Sequence, residues 1–203
     1  MTALFTQDEI LKQLTTDPTK GFIDRLAAGL RAQNFDLDEI IDLTFHSDKQ
    51  VSFRAAWLLD TMVVTAPEVY VNNLPYFVQR FSDVTDASCK RHYTRMMMHL
   101  TAPNSPQIIQ NKLKGTDLEQ VVETCFDWLI DSRVKVAVKV FAADTLFNLC
   151  DRYGWIKEEL TSQVQFMMRD GSPAIQSRGE KLLALIQSQK SQHSKPNLSP
   201  VKF

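Results

Sequence analysis

Two long stretches of this chain repeat one another at a nearly constant offset, and that constrains its fold more than any single motif. Asp36-Leu37-Asp38-Glu39-Ile40-Ile41 lies over Asp117-Leu118-Glu119-Gln120-Val121-Val122 at an offset of 81. Ala55, Ala56 and Leu59 match Ala142, Ala143 and Leu146 at 87. Leu74, Val78, Phe81, Met97 and Leu100 match Leu160, Val164, Met167, Leu183 and Ile186 at 86. The copies occupy residues 36–100 and 117–186, and each divides into two units of roughly 40 residues, the length of a helix pair. A helix pair cannot bury its apolar face alone, so such units stack into one continuous core.

The local signals are helical. The chain has only 6 Gly and 8 Pro in 203 residues, and the prolines fall mostly between periodic stretches. Thr6 before Asp8 and Glu9 caps a first helix to about Leu14, Asp17-Pro18 opens a second that Asn34 stops, and Asp36 caps a third. A fourth runs from Asp48 to Thr65, with Val51, Ala55, Leu58, Leu59 and Met62 at spacings of three and four. Further helices are expected at 74–83, 87–100, 107–113, 117–131, 133–153, 156–169 and 172–189. Val134 to Val140 alternates apolar and polar like a strand. It runs without a breaker into a helical stretch, and a lone strand has no partner for its backbone groups, so it is read as helix.

Phe53-Arg54-Ala55-Ala56-Trp57-Leu58-Leu59-Asp60, followed by Pro67-Glu68 and Leu74-Pro75, resembles the helix-pair pattern of HEAT-like and armadillo-type repeats. Val136 to Ala142, Leu146 to Leu149, Lys157 to Leu160 and Gln176 to Leu183 resemble a group of small helical-repeat proteins from Bacteroidetes-type bacteria, over about residues 36–187. The resemblance implies an all-α, α-α superhelix and brings no activity or catalytic residues with it. With the first helices added, the expectation is one right-handed superhelical domain over 1–187, of about ten or eleven helices. Residues 188–203 hold two Pro and four Ser with no acid and are read as a flexible polar tail.

Composition excludes several classes. Three cysteines in 203 residues, Cys89, Cys125 and Cys150, are too few for a disulfide scaffold and suit a reducing cytoplasm. No apolar run reaches the roughly 20 residues that span a bilayer. HExxH, CxxC, GxSxG and glycine-rich phosphate fingerprints are absent from the sequence, so no catalytic residue, metal ligand or cofactor is assigned. His92 and His99, seven apart, are read as surface residues without a third ligand. Gly171-Ser172-Pro173-Ala174 does not support a fumarase-type or adenylosuccinate-type lyase, whose long helical bundle this chain is too short to build.

The formal net charge of -1 conceals an uneven layout. Residues 1–48 carry four basic and nine acidic side chains, whereas residues 87–116 carry Lys90, Arg91, Arg95, Lys112 and Lys114 and no acid. Arg91, Arg95 and His99 recur at i, i+4 and i+8. If the second helix of each pair lines the inner face, Arg54, Trp57, Arg91, Arg95 and His99 join Lys135, Lys139, Arg178 and Lys181 along it. Two readings stand: a groove for a protein or acidic peptide, or a solvated charged face. Charge reversal at Arg91 and Arg95 is then expected to weaken capture of the partner without lowering thermal stability. Nucleic acid is the second choice of partner. Trp57 with Asp60, and Trp128 with Asp127 and Asp131, keep open a resemblance to HEAT-like DNA glycosylases. A membrane partner is not expected, and oligomeric state is left open.

Overall fold

Capping chemistry sets the helix starts. The computed structural model describes residues 5–16, 19–171 and 173–193. Helix α1 (Gln7–Thr15) opens on a reciprocal box in which the Thr6 hydroxyl accepts from the Glu9 amide and the Glu9 carboxylate accepts from the Thr6 amide. Thr19 caps α2 (Lys20–Ala32), Asp36 caps α3 (Leu37–Leu43), Asp48 caps α4 (Lys49–Thr65) and Asp86 caps α6 (Ala87–Thr101). Asn34, at φ 52°, turns the chain after α2. A 3₁₀ turn at Pro67–Asn73 leads into α5 (Leu74–Arg80), and a second follows at Phe81–Asp83. The remaining helices are α7 (Gln107–Lys114), α8 (Glu119–Ile130), α9 (Val136–Leu149), α10 (Ile156–Arg169) and α11 (Pro173–His193). No strand occurs among the described residues.

The helices form two layers. Helices α2, α4, α6, α9 and α11 lie side by side in chain order as one layer, termed the inner layer, and α3, α8 and α10 pack behind α4, α9 and the α9–α11 pair. The sequence duplication becomes a structural one: α3 to α6 correspond to α8 to α11. A single apolar core runs through both copies, from Ile10 in α1 to Ile186 in α11. Its centre is aromatic, with Tyr93 fully buried against Phe77 at 5.1 Å between ring centroids. Gly179 lets α11 approach α10 closely, because a Cβ there would overlap Met168 and come within 3.2 Å of a Val164 methyl. Among the described residues, no helix is long and apolar enough to cross a membrane.

Three boundaries differ from the sequence expectation. The helix expected over 133–153 is α9, confined to Val136–Leu149. Asp131 accepts from the Arg133 amide at 2.9 Å, and Lys135 is extended, so the chain turns before α9 begins. The strand-like alternation does not mark a strand: α9 packs on α6, α8, α10 and α11 and is apolar on most sides, although Val136 and Ala137 of its first turn are exposed. Helix α11 continues to His193, past the expected helix end at 189 and the expected domain boundary at 187, since no helix breaker stands between Gly179 and Pro196. Asp17, Pro18, Ser172 and residues 194–203, on which two helix starts and most of the expected tail were placed, lie outside the described residues.

Candidate functional site

Two aspartates stand in the middle of apolar inner-layer helices, and each fixes an arginine of the next inner helix. Asp60 of α4 is 3% exposed. Its Oδ2 accepts from Arg95 Nη1 of α6 at 2.7 Å and lies 2.9 Å from His92 Nδ1, while its buried Oδ1 has no partner. Asp144 of α9 is likewise buried, and its Oδ2 accepts from Arg178 Nη2 of α11. A carboxylate in such a place is costly unless it is paired and hydrogen-bonded, so each aspartate holds its arginine at the helix boundary. Burial raises the Asp144 pKa, opposed by Arg178.

These pairs sit at offsets of 84 and 83, three residues short of the 87 and 86 at which the neighbouring apolar residues recur. Three residues are close to one helical turn, so both members of the second pair lie nearly one turn earlier on their helices and on nearly the same face.

A groove opens beside each pair. The first, about 540 Å³, lies between α2, α4 and α6. Trp57 and Phe53 line one side, their ring centroids 6.4 Å apart, and Arg91, Arg95 and Lys20 supply positive charge. The second, about 260 Å³, lies between α6, α9 and α11 and is lined by His99, Phe147, Arg178, Lys181 and Leu185. Arg91, His99 and Lys181 are exposed, and among the described residues none of them has an ion-pair partner. Burial, reinforced by the Arg95 charge, lowers the His99 pKa, so the imidazole adds little positive charge near neutral pH.

The nine sequence-derived residues therefore divide. Trp57, Arg91 and Arg95 share the first groove; His99, Arg178 and Lys181 share the second. The Arg91, Arg95, His99 row divides because a spacing of four inclines across the helix surface, which carries His99 from the α4 side toward α9. Lys139 borders an adjoining apolar cleft of about 30 Å³ with Val136, Val140 and Leu182, where burial lowers its pKa. Lys135 stands apart beside Lys90 and Arg133 at the start of α9. Arg54 is turned toward α1, donating from Nη1 to the Leu14 carbonyl at 2.8 Å and to that of Thr16.

Met96 and Met97 are core residues, while Met98 borders the second groove. Trp128 packs into the core on Phe81 at 5.1 Å, and Asp131 bonds Arg133, so the second tryptophan–carboxylate pair does not form a site. Phe53, Asp144 and Phe147 were absent from the expected site, Asp60 entered only beside Trp57 in the glycosylase alternative, and His92, expected at the surface, is buried against Asp60. The signal for both aspartates was in the sequence: a lone acid within an apolar helix needs a partner. Among the described residues no group of three His, Cys, Asp or Glu side chains is placed to hold a metal.

A family model described as a HEAT repeat domain matches residues 10–186. No curated protein and no solved structure matches the chain.

Proposed function

The chain belongs to the HEAT repeat family, and from that premise we propose that it is a non-catalytic scaffold holding an acidic segment of a partner protein on the exposed face of α4, α6, α9 and α11. The family and the stacked layers make it a helical-repeat scaffold for interactions. The observation that carries the finer reading is the pair of arginines, Arg95 and Arg178, fixed by buried aspartates where two grooves open on successive inner helices. A guanidinium already immobilised loses less entropy on meeting a carboxylate and keeps further donors for it. The reading needs no metal or cofactor, and the three buried thiols suit a cytoplasmic setting.

Titration with a fluorescent oligoglutamate peptide tests it, with single-stranded and duplex DNA as comparators. Salt-sensitive binding of the peptide is the expected result. Binding of DNA alone would replace this reading with the nucleic-acid one, and base release from methylated duplex would establish the glycosylase version, which Trp57 and Asp60 in one groove favour.

A further inference from the structure

The two grooves are built to one recipe. Each contains a buried aspartate from one inner helix, an arginine from the next that donates to it, an aromatic ring three residues from the aspartate, and a second cation about one turn from the arginine. In the first groove these are Asp60, Arg95, Trp57 and Arg91. In the second they are Asp144, Arg178, Phe147 and Lys181. The order along the helix is inverted: Trp57 precedes its aspartate and Arg91 its arginine, whereas Phe147 and Lys181 follow theirs. By the offsets of 87 and 86, Trp57 and Asp60 lie over Asp144 and Phe147 and Arg95 lies over Lys181, so corresponding helices build both sockets with the pair displaced by three residues.

We propose that the sockets act together, each taking one acidic side chain of the same extended partner segment, with Arg91 and Arg95 on one acid and Arg178 and Lys181 on the other. This rests on the acidic-segment reading above and adds a spacing to it. Neighbouring inner helices lie about 8–10 Å apart, and two such steps separate the α4–α6 boundary from the α9–α11 boundary, a span of roughly 16–20 Å. An extended chain advances about 3.3 Å per residue, so the two acids stand about five or six residues apart. Trp57 and Phe147 offer apolar contact beside each acid. The central aspartates favour a peptide over nucleic acid. A ligand with acids at chosen positions places them on the cations and away from Asp60, Asp144 and the rim carboxylate Asp24, whereas a phosphate chain is charged at every step.

Three synthetic peptides of equal length test the spacing: one with a single Glu, one with two Glu about six residues apart, and one with the two Glu adjacent. Fluorescence anisotropy on the full chain should give the spaced peptide at least about tenfold higher affinity than the other two, through effective concentration at the second socket. Arg91→Glu and Lys181→Glu alter exposed side chains and should each reduce the spaced peptide to the affinity of the single-Glu peptide. Equal affinity for spaced and adjacent peptides, or loss through only one variant, would overturn the paired sockets and leave the acidic-segment reading standing. Failure of all three peptides to bind overturns both, and so does binding of single-stranded DNA in their place.

Discussion

Arg95 donates to the buried Oδ2 of Asp60 at 2.7 Å, so a cation of the candidate surface is also part of the joint between α4 and α6. The expectation that reversing both Arg91 and Arg95 leaves stability unchanged is therefore kept for Arg91 alone. Arg95→Glu sets a second carboxylate against one that is 3% exposed. Breaking a buried pair costs about 3–5 kcal/mol, reduced to about 1–3 here because the Arg95 side chain is 37% exposed. Calorimetry should show Tm falling by several degrees for Arg95→Glu, at about 2–4 °C per kcal/mol for a chain of this size. Arg91→Glu should remain within about 0.5 kcal/mol of the parent. Equal losses would show that Asp60 does not distinguish them.

Arg54 predicts a local effect instead. Its guanidinium reaches the Leu14 and Thr16 carbonyls at the end of α1, where helix carbonyls lack intrahelical donors. Arg54→Met keeps most of the stem and removes these bonds, costing about 1–2 kcal/mol for charge-assisted bonds at a half-buried position. Hydrogen exchange should quicken in α1 and stay unchanged in α8 to α11. Uniform exchange along the chain would contradict this, and Arg54→Lys should restore part of the protection.

The fold was legible because the information is periodic. The offsets of 81, 87 and 86 carry the correspondence between the two helix quartets, and the caps at Thr6, Asp36 and Asp48 mark helix starts through short-range bonds. The site was legible only in part. Spacing placed Arg91, Arg95, Arg178 and Lys181 on inner helices, yet which groove each enters depends on how neighbouring helices incline, a tertiary property. Arg54 departs from the expected row for the same reason: its apolar-face neighbours are inner-layer residues, but its long stem carries the charge to the end of α1. The α9 start at Val136 was hidden because the preceding turn rests on Asp131, which accepts from the Arg133 and Val134 amides.

Tyr93 tests how far one polar bond ties the core together. The Thr44 hydroxyl donates to the Ile41 carbonyl at 2.7 Å, which leaves it to accept from the Tyr93 hydroxyl, also 2.7 Å away. Burial pushes the Tyr93 phenol well above its ordinary pKa, so it remains a donor across the accessible pH range. Tyr93→Phe keeps the stack on Phe77 and loses one bond, about 1 kcal/mol. Tyr93→Ala also empties the aromatic centre and should cost about 3–5 kcal/mol. Urea unfolding should separate the two variants by midpoint; similar midpoints would mean that the hydroxyl, rather than the ring, carries the contribution.

The three thiols predict the alkaline limit of stability. Cys89, Cys125 and Cys150 are buried, and burial raises all three pKa values, for Cys89 and Cys150 from near 9 to about 11. The Ser52 hydroxyl, 3.1 Å from Cys89 Sγ, opposes the rise at that site. A raised folded pKa means that the folded chain binds more protons than the unfolded one between the two values. The thiol contribution is thus fully present below about pH 9 and is lost as pH rises toward about 11. Two measurements check it. At pH 8, iodoacetamide should leave the native thiols unmodified and alkylate all three in denaturant, since the thiolate is the reacting form. In Cys89→Ser/Cys150→Ser, stability should decline less steeply over that alkaline window than in the parent, because two of the groups that bind protons only in the folded state are gone. A parallel decline in both chains would assign the alkaline loss to other groups.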